Sequence, residues 1–217
     1  MKKLFRNVLS SCLALALSAG NLLPVGSGLH VYAQAPVMAD GFYQVASADD
    51  LLWAAENPEK NYILTEDIDL SDKPEWIAIG TDEEPFSGIF NGAGHSVKLG
   101  ISREETAAGP HMVGLFGVVT GAVTNLTVTG SFSVKLRGGY AAPIAATLAG
   151  GKILNCTNKA SITAEEIVND ETGIMHVGGI VGAVRGGAQS LVKNCTNDGE
   201  IQMKALNLPM GDGELGD

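Results

Sequence analysis

The feature that most restricts this chain is a pattern that recurs three times between Gly114 and Ile201. The first copy has Gly114-Leu115-Phe116-Gly117, then Val123-Thr124-Asn125-Leu126. A degenerate second copy has Pro143-Ile144-Ala145-Ala146, then Ile153-Leu154-Asn155-Cys156. The third has Gly179-Ile180-Val181-Gly182, then Val192-Lys193-Asn194-Cys195. Past the asparagine the copies keep matching at every second residue: Val128, Asn158 and Asn197, then Gly130, Ala160 and Gly199, then Phe132, Ile162 and Ile201. Apolar positions hold one parity on each side of the asparagine but slip across it, because Val123 and Leu126 are three residues apart, as are Ile153 and Cys156. In a straight strand that slip would turn half the apolar side chains into water. A bend at Asn125, Asn155 and Asn194 removes the conflict, and asparagine is the non-glycine residue that best tolerates left-handed backbone. Each copy therefore reads strand, Asn bend, strand, glycine-rich turn. Spacings of 30 and 39 residues between the asparagines suit the coils of a β-solenoid, whose repeats run roughly 20–50 residues.

Upstream, the same strand-like texture begins at Tyr62-Ile63-Leu64 and continues through Ile68-Asp69-Leu70, Trp76 to Gly80 and Phe86 to Gly92. Val97, Leu99 and Ile101 alternate with Lys98 and Gly100, as in a half-buried strand. Before these strands the spacing predicts one helix over 47–58: Ser47 caps it, Asp49 and Asp50 suit its positive end, and Pro58 stops it. Such a helix would cover the exposed edge of the first coil. The start of the chain has the form of a secretory signal peptide over 1–33. Lys2, Lys3 and Arg6 precede an apolar run of about 12 residues, and Val31-Tyr32-Ala33 is a small-residue cleavage site. That run is too short to span a bilayer, which takes ~20 residues. Cys12 lies inside it rather than after it, which argues against a lipidation site. Residues 34–46 read as a leader, 59–206 as the repeat region, and 207–217 as a polar tail or a truncated continuation.

Charge narrows the partners. Three of the 14 basic residues and none of the 24 acidic ones precede residue 34, so the remainder carries a formal charge near −13. Nucleic acid, anionic membrane surfaces and membrane insertion of the mature chain are excluded as expectations; an extracellular protein or carbohydrate ligand is favoured. The 28 glycines in 217 residues, well above the ordinary ~7%, imply many tight turns. No catalytic, cofactor-binding or metal site is assigned. The acidic residues Glu104, Glu105, Glu165, Glu166, Asp170 and Glu171 are read as solvated loop charge that does not recur between copies. His95, His111 and His176 never fall in an HExxH arrangement, and Gly211 to Glu214 resembles a Ca²⁺-binding repeat only once. Cys156 and Cys195 occupy equivalent positions and are read as free thiols. Trp53 and Trp76 sit in apolar runs and are read as core. The inserts Arg103–His111 and Glu165–Met175 are the expected recognition loops.

The Gly-Leu-Phe-Gly and Gly-Ile-Val-Gly elements, followed by Asn-Cys-Thr-Asn, resemble the GLUG motif of secreted bacterial proteins, and Tyr62–Leu70, Trp76–Gly80 and Phe86–His95 resemble the opening coils of that group. The resemblance spans roughly residues 42–203. It implies an all-β chain, a right-handed parallel β-helix (solenoid) with a short N-terminal capping α-helix. It also implies an adhesin-like surface protein or the non-catalytic region of an IgA-cleaving metalloprotease. The resulting expectation is a secreted or cell-surface binding or spacer scaffold, not an enzyme, forming the N-terminal part of a longer surface protein. The alternative is a polysaccharide lyase or hydrolase on the same fold, which would need paired carboxylates or a Ca²⁺-held base.

Overall fold

In the computed structural model, which describes residues 34–107, 109–167, 174–186 and 189–204, Asn125, Asn155 and Asn194 take φ values of 53°, 54° and 56°. The left-handed bend required by the phase slip is therefore present in all three copies. The signal-peptide stretch 1–33 with Cys12, residues Asp170 and Glu171 of the second insert, and the tail 207–217 lie outside the described residues.

In chain order the first described elements are β1 (Met38–Ala39), β2 (Phe42–Val45), α1 (Ala48–Glu56), β3 (Tyr62–Leu64), β4 (Ile68–Leu70), β5 (Ile89–Asn91) and β6 (Ser96–Glu105). The first copy supplies β7 (His111–Val113), β8 (Phe116–Val119), β9 (Ala122–Thr124) and β10 (Thr127–Leu136). The second supplies β11 (Gly139–Ala141), β12 (Ala145–Ala149), β13 (Lys152–Leu154), β14 (Thr157–Asn158) and β15 (Ser161–Glu166). The third supplies β16 (Met175–Val177), β17 (Val181–Arg185), β18 (Leu191–Lys193), β19 (Thr196–Asn197) and β20 (Ile201–Lys204).

Strands pair between copies, in parallel and in the register that the repeat dictates. Phe90, Val123, Ile153 and Val192 form one row before the bend. Ile101, Phe132, Ile162 and Ile201 form another after it. Ala145 lies between Phe116 and Val181, as the alignment of the first halves requires.

The expectation of a right-handed parallel β-helix is corrected at this point. Among the described residues the strands are divided over four separate sheets, two of seven strands and two of three, rather than one solenoid. The first sheet moreover opens with an antiparallel pair, β1–β2. The physical reason lies in the corners. Each Asn bend and glycine turn interrupts the backbone ladder, so hydrogen bonds continue only between copies, and every straight segment joins a sheet of its own.

Repeat chemistry also sets the packing. Gly117 stacks so closely on the preceding segment that a β-carbon there would overlap the carbonyl oxygen of Gly80, which accounts for one glycine of the Gly-Leu-Phe-Gly element. Inward positions bury an aromatic group toward the N-terminal side, where Phe86 and Phe90 lie 5.1 and 5.2 Å from Phe116. Aliphatic and alanine side chains follow in the second copy. Ser47 Oγ accepts from the Asp50 amide at 3.2 Å, and Asp50 Oδ2 accepts from the Ala46 amide at 2.9 Å, closing both ends of the cap. The helix buries Leu51 and Ala54 against the core. The stacked row is not uniformly buried: Val123 and Ile153 are fully buried, but Val192 is 43% exposed. No described strand lies beyond β18 to cover it.

Candidate functional site

Four of the acidic residues lie on strands rather than in loops: Glu104 and Glu105 end strand β6, and Glu165 and Glu166 end β15. The acids also recur, with lysine between them. Glu104, Lys135, Glu165 and Lys204 occupy one register position on consecutive strands. Lys135 Nζ lies 3.4 Å from Glu104 and 3.5 Å from Glu165, and Lys204 lies 4.0 Å from Glu165. Hydrogen bonding to Glu104, then the charges of Glu104 and Glu165, push the Lys135 ammonium above its usual range. On the same sheet Lys98 Nζ donates to Asp69 at 3.0 Å. Hydrogen bonds from Ser71, followed by Lys98, hold the Asp69 carboxyl down at about 2. Opposite charges directly across parallel strands favour this register over a slip.

The alternate positions of β6 make a site. Arg103 shares its register with Val134, and Glu105 shares its with Leu136, both buried apolar residues of the next strand. In β6 the inner face thus carries an ion pair where its neighbour carries core. Arg103 Nε donates to Glu105 at 2.7 Å and its Nη1 to Glu75 at 3.2 Å. The pair lines a cleft of about 130 Å³ together with Trp76, Ile77, His111 and Met112. Ile77 is 71% exposed at its rim, and His111 Nε2 lies 2.8 Å from the Ala107 carbonyl oxygen.

Met112 connects the cleft to a second group. Met112, Tyr140 and His176 align across β7, β11 and β16. The Tyr140 and His176 rings stack with centroids 5.3 Å apart and 15° between planes. The Arg185 guanidinium lies 5.4 Å from the Tyr140 centroid. Its Nη2 donates to Asp82 at 2.9 Å and approaches the Met112 sulfur at 3.9 Å. An isoleucine, a methionine, a tyrosine and two arginines therefore share one face, each arginine oriented by a carboxylate.

Of the other residues read from sequence, His95 Nδ1 lies 3.6 Å from Asp67, at a turn rather than in the cleft. Trp53 packs on Tyr43 with centroids 4.7 Å apart. Trp76 is buried and donates its indole N–H to the Leu115 carbonyl at 3.2 Å, so Trp76 is core, while Trp53 is partly buried and packs against the core. Cys156 and Cys195 are free thiols, the first buried and the second partly exposed. Burial pushes the Cys156 thiol up to about 12. His111 and His176 belong to the face, but no group of three or more His, Cys, Asp or Glu among the described residues is placed to hold a metal ion. No helix among them is long and apolar enough to cross a membrane. Tyr140, Met112 and Arg185 were not singled out by sequence; the alignment of His111, Gly139 and Met175 puts Met112 and Tyr140 in one row, whereas Arg185 lies opposite Ala149 on another sheet and had no such signal.

Residues 173–202, the third copy, match the GLUG motif. No curated protein matches the chain. Among solved structures, one described as a "putative immunoglobulin A1 protease" from Bacteroides ovatus is similar at 17% identity, over 75% of this chain and 77% of that one, with a TM-score of 0.42.

Proposed function

We propose that this chain is a non-catalytic, secreted or cell-surface β-sheet module that binds an extracellular polypeptide through the face formed by Ile77, Met112, Tyr140 and Arg185. The observation that carries the reading is the Arg185–Tyr140–His176 stack, joined through Met112 to the Arg103–Glu105 cleft. Aromatic residues, methionine and arginine are the types enriched where proteins meet, and tyrosine and arginine dominate the energetics of such contacts. Glu105, the carboxylate that lines the cleft, is engaged with Arg103, which also pairs with Glu75; this suits a structural role better than acid–base work on a sugar. The signal-peptide pattern and the GLUG match at 173–202 support placement outside the cell.

The test is a panel of purified extracellular proteins and a glycan array, probed with the native chain and with Tyr140→Ala and Arg185→Ala. At least one protein should bind, and each variant should weaken it about tenfold or more, as expected of an interface anchor, with circular dichroism unchanged. Binding confined to glycans, binding indifferent to both variants, or cleavage of a polysaccharide would each overturn the reading.

A further inference from the structure

The two arginines of the Tyr140 face are not equally satisfied. Arg103 gives its Nε to Glu105 and its Nη1 to Glu75. Arg185 gives Nη2 to Asp82 at 2.9 Å, but its Nε is buried without a hydrogen-bond partner. Nε and Nη2 share one edge of the guanidinium, and a carboxylate with both oxygens turned to such an edge makes two parallel, charge-assisted bonds. Asp82 makes one. A buried donor left unpaired is costly, so this edge favours a carboxylate better placed than that of Asp82.

Local structure fixes how Asp82 approaches. It stands in a tight turn closed from both sides: the Thr81 amide donates to the Glu84 carbonyl at 3.0 Å, and the Glu84 amide donates to Thr81 Oγ1 at 3.0 Å. The turn is exposed, and an exposed ion pair contributes little, so a competing anion displaces it at small cost. Beside the pair, the Met112 sulfur lies 3.9 Å from Arg185 Nη2 and forms one wall of the 130 Å³ cleft, with Trp76, Ile77 and Val113 as further apolar walls. That volume suits one small side chain, since an apolar cavity of about 150 Å³ takes up a benzene.

We infer that Asp82 stands in for a carboxylate of the partner, which presents that carboxylate next to one small apolar side chain. The apolar group enters the cleft past Met112, and the carboxylate replaces Asp82 and engages Nη2 and Nε of Arg185 together. The inference rests on the Tyr140 face being the binding face; it adds the chemistry that face selects and the contact that competes with it. Arg103 is not the seat of the anion, because two carboxylates already hold it. The groups that form the site reach Arg185 from earlier parts of the chain, Asp82, Met112 and Tyr140, so nothing in it depends on the outer edge of the third copy.

The probe is N-acetyl-L-leucine, which carries both groups, with N-acetyl-L-leucinamide as its uncharged control. Each is titrated to millimolar concentration, at constant ionic strength, into protein labelled with ¹⁵N and with ¹³C at its Met and Ile methyl groups. The acid should shift the Arg185 Nε–H resonance and the Met112 and Ile77 methyls, and the amide should bind about tenfold more weakly or worse. Asp82→Asn should tighten the acid about fivefold, the scale of one exposed ion pair, and leave the amide unchanged. Arg185→Lys keeps the charge but not the fork and should weaken the acid; unchanged backbone resonances away from the face show that both variants are folded. Four outcomes overturn the inference: no shift at these groups with the acid, equal binding of acid and amide, no gain from Asp82→Asn, or shifts centred on Arg103 instead of Arg185. No protein partner enters this titration, so a failed protein panel removes the polypeptide reading, whereas a failed titration removes the carboxylate alone.

Discussion

The second and third copies follow one pattern and lie in register, yet their interiors differ. Ile153 is fully buried and its partner Val192 is 43% exposed. Cys156 is buried and Cys195 is only partly so. Asn155 is bonded to asparagines on both sides, Asn194 on one. The local backbone is the same in both copies, down to φ values of 54° and 56° at the bends. What separates them is the number of neighbours. In a layered sheet protein each copy supplies half of the next one's burial, so local pattern sets conformation while stacking sets stability. The GLUG match falls on the third copy, the less buried of the two. The motif therefore reports how a copy is shaped rather than how firmly it is held.

The largest expected effect that sharpens this comparison is in the core row. Ile153→Ala should cost about 2–5 kcal/mol in urea unfolding, whereas Val192→Ala should cost less than about 1 kcal/mol, since most of its transfer out of water has not occurred. Equal losses would show that the third copy is covered in solution.

The bends come next. Asn155→Ala places a β-branchless but chiral residue in left-handed backbone, a penalty of about 1–2 kcal/mol, and breaks two ladder bonds. Asn194→Ala pays the same conformational penalty but loses one bond, so its unfolding midpoint should fall less. Glycine at position 155 should recover the conformational part alone. If Asn155→Gly is as damaging as Asn155→Ala, side-chain bonding rather than backbone strain holds the bend.

The smallest effect concerns the thiols. With a disulfide reagent at pH 8, Cys195 should react well before Cys156, whose thiol is held neutral by burial. Because the folded Cys156 value, about 12, lies above the ordinary thiol value of about 8.5, its contribution is complete below pH 8.5. It is lost as pH rises toward 12, where unfolding releases a proton that the native state retains. Cys156→Ala should flatten that alkaline decline. Equal reactivity of the two thiols at pH 8 would contradict the difference in burial.

Much of this was legible in the chain. The phase slip across Asn125, Asn155 and Asn194 demanded a left-handed bend, and the matched positions Phe132, Ile162 and Ile201 set the register, because side-chain direction in a strand has period two and leaves no freedom once one face is buried. Asn91 accepts from Asn125 Nδ2 at 3.0 Å but ends β5 opposite Thr124 rather than standing at the bend, so the repeat gave no sign of that contact.

Other features needed three dimensions. Glu104, Lys135, Glu165 and Lys204 are separated by 31, 30 and 39 residues, an uneven spacing that hides their alignment, since the joining segments absorb the differences. Glu105 read as loop charge and Arg103 as the start of a recognition insert, yet the register of β6 sets them opposite buried Leu136 and Val134. The division into four sheets in place of one solenoid likewise lay beyond the repeat, which specifies where the chain bends but not how ladders join across the bends. Periodicity and turn chemistry are local and are written in neighbouring residues. Charge pairing, burial and sheet membership depend on which strands lie side by side, and only the tertiary structure decides that.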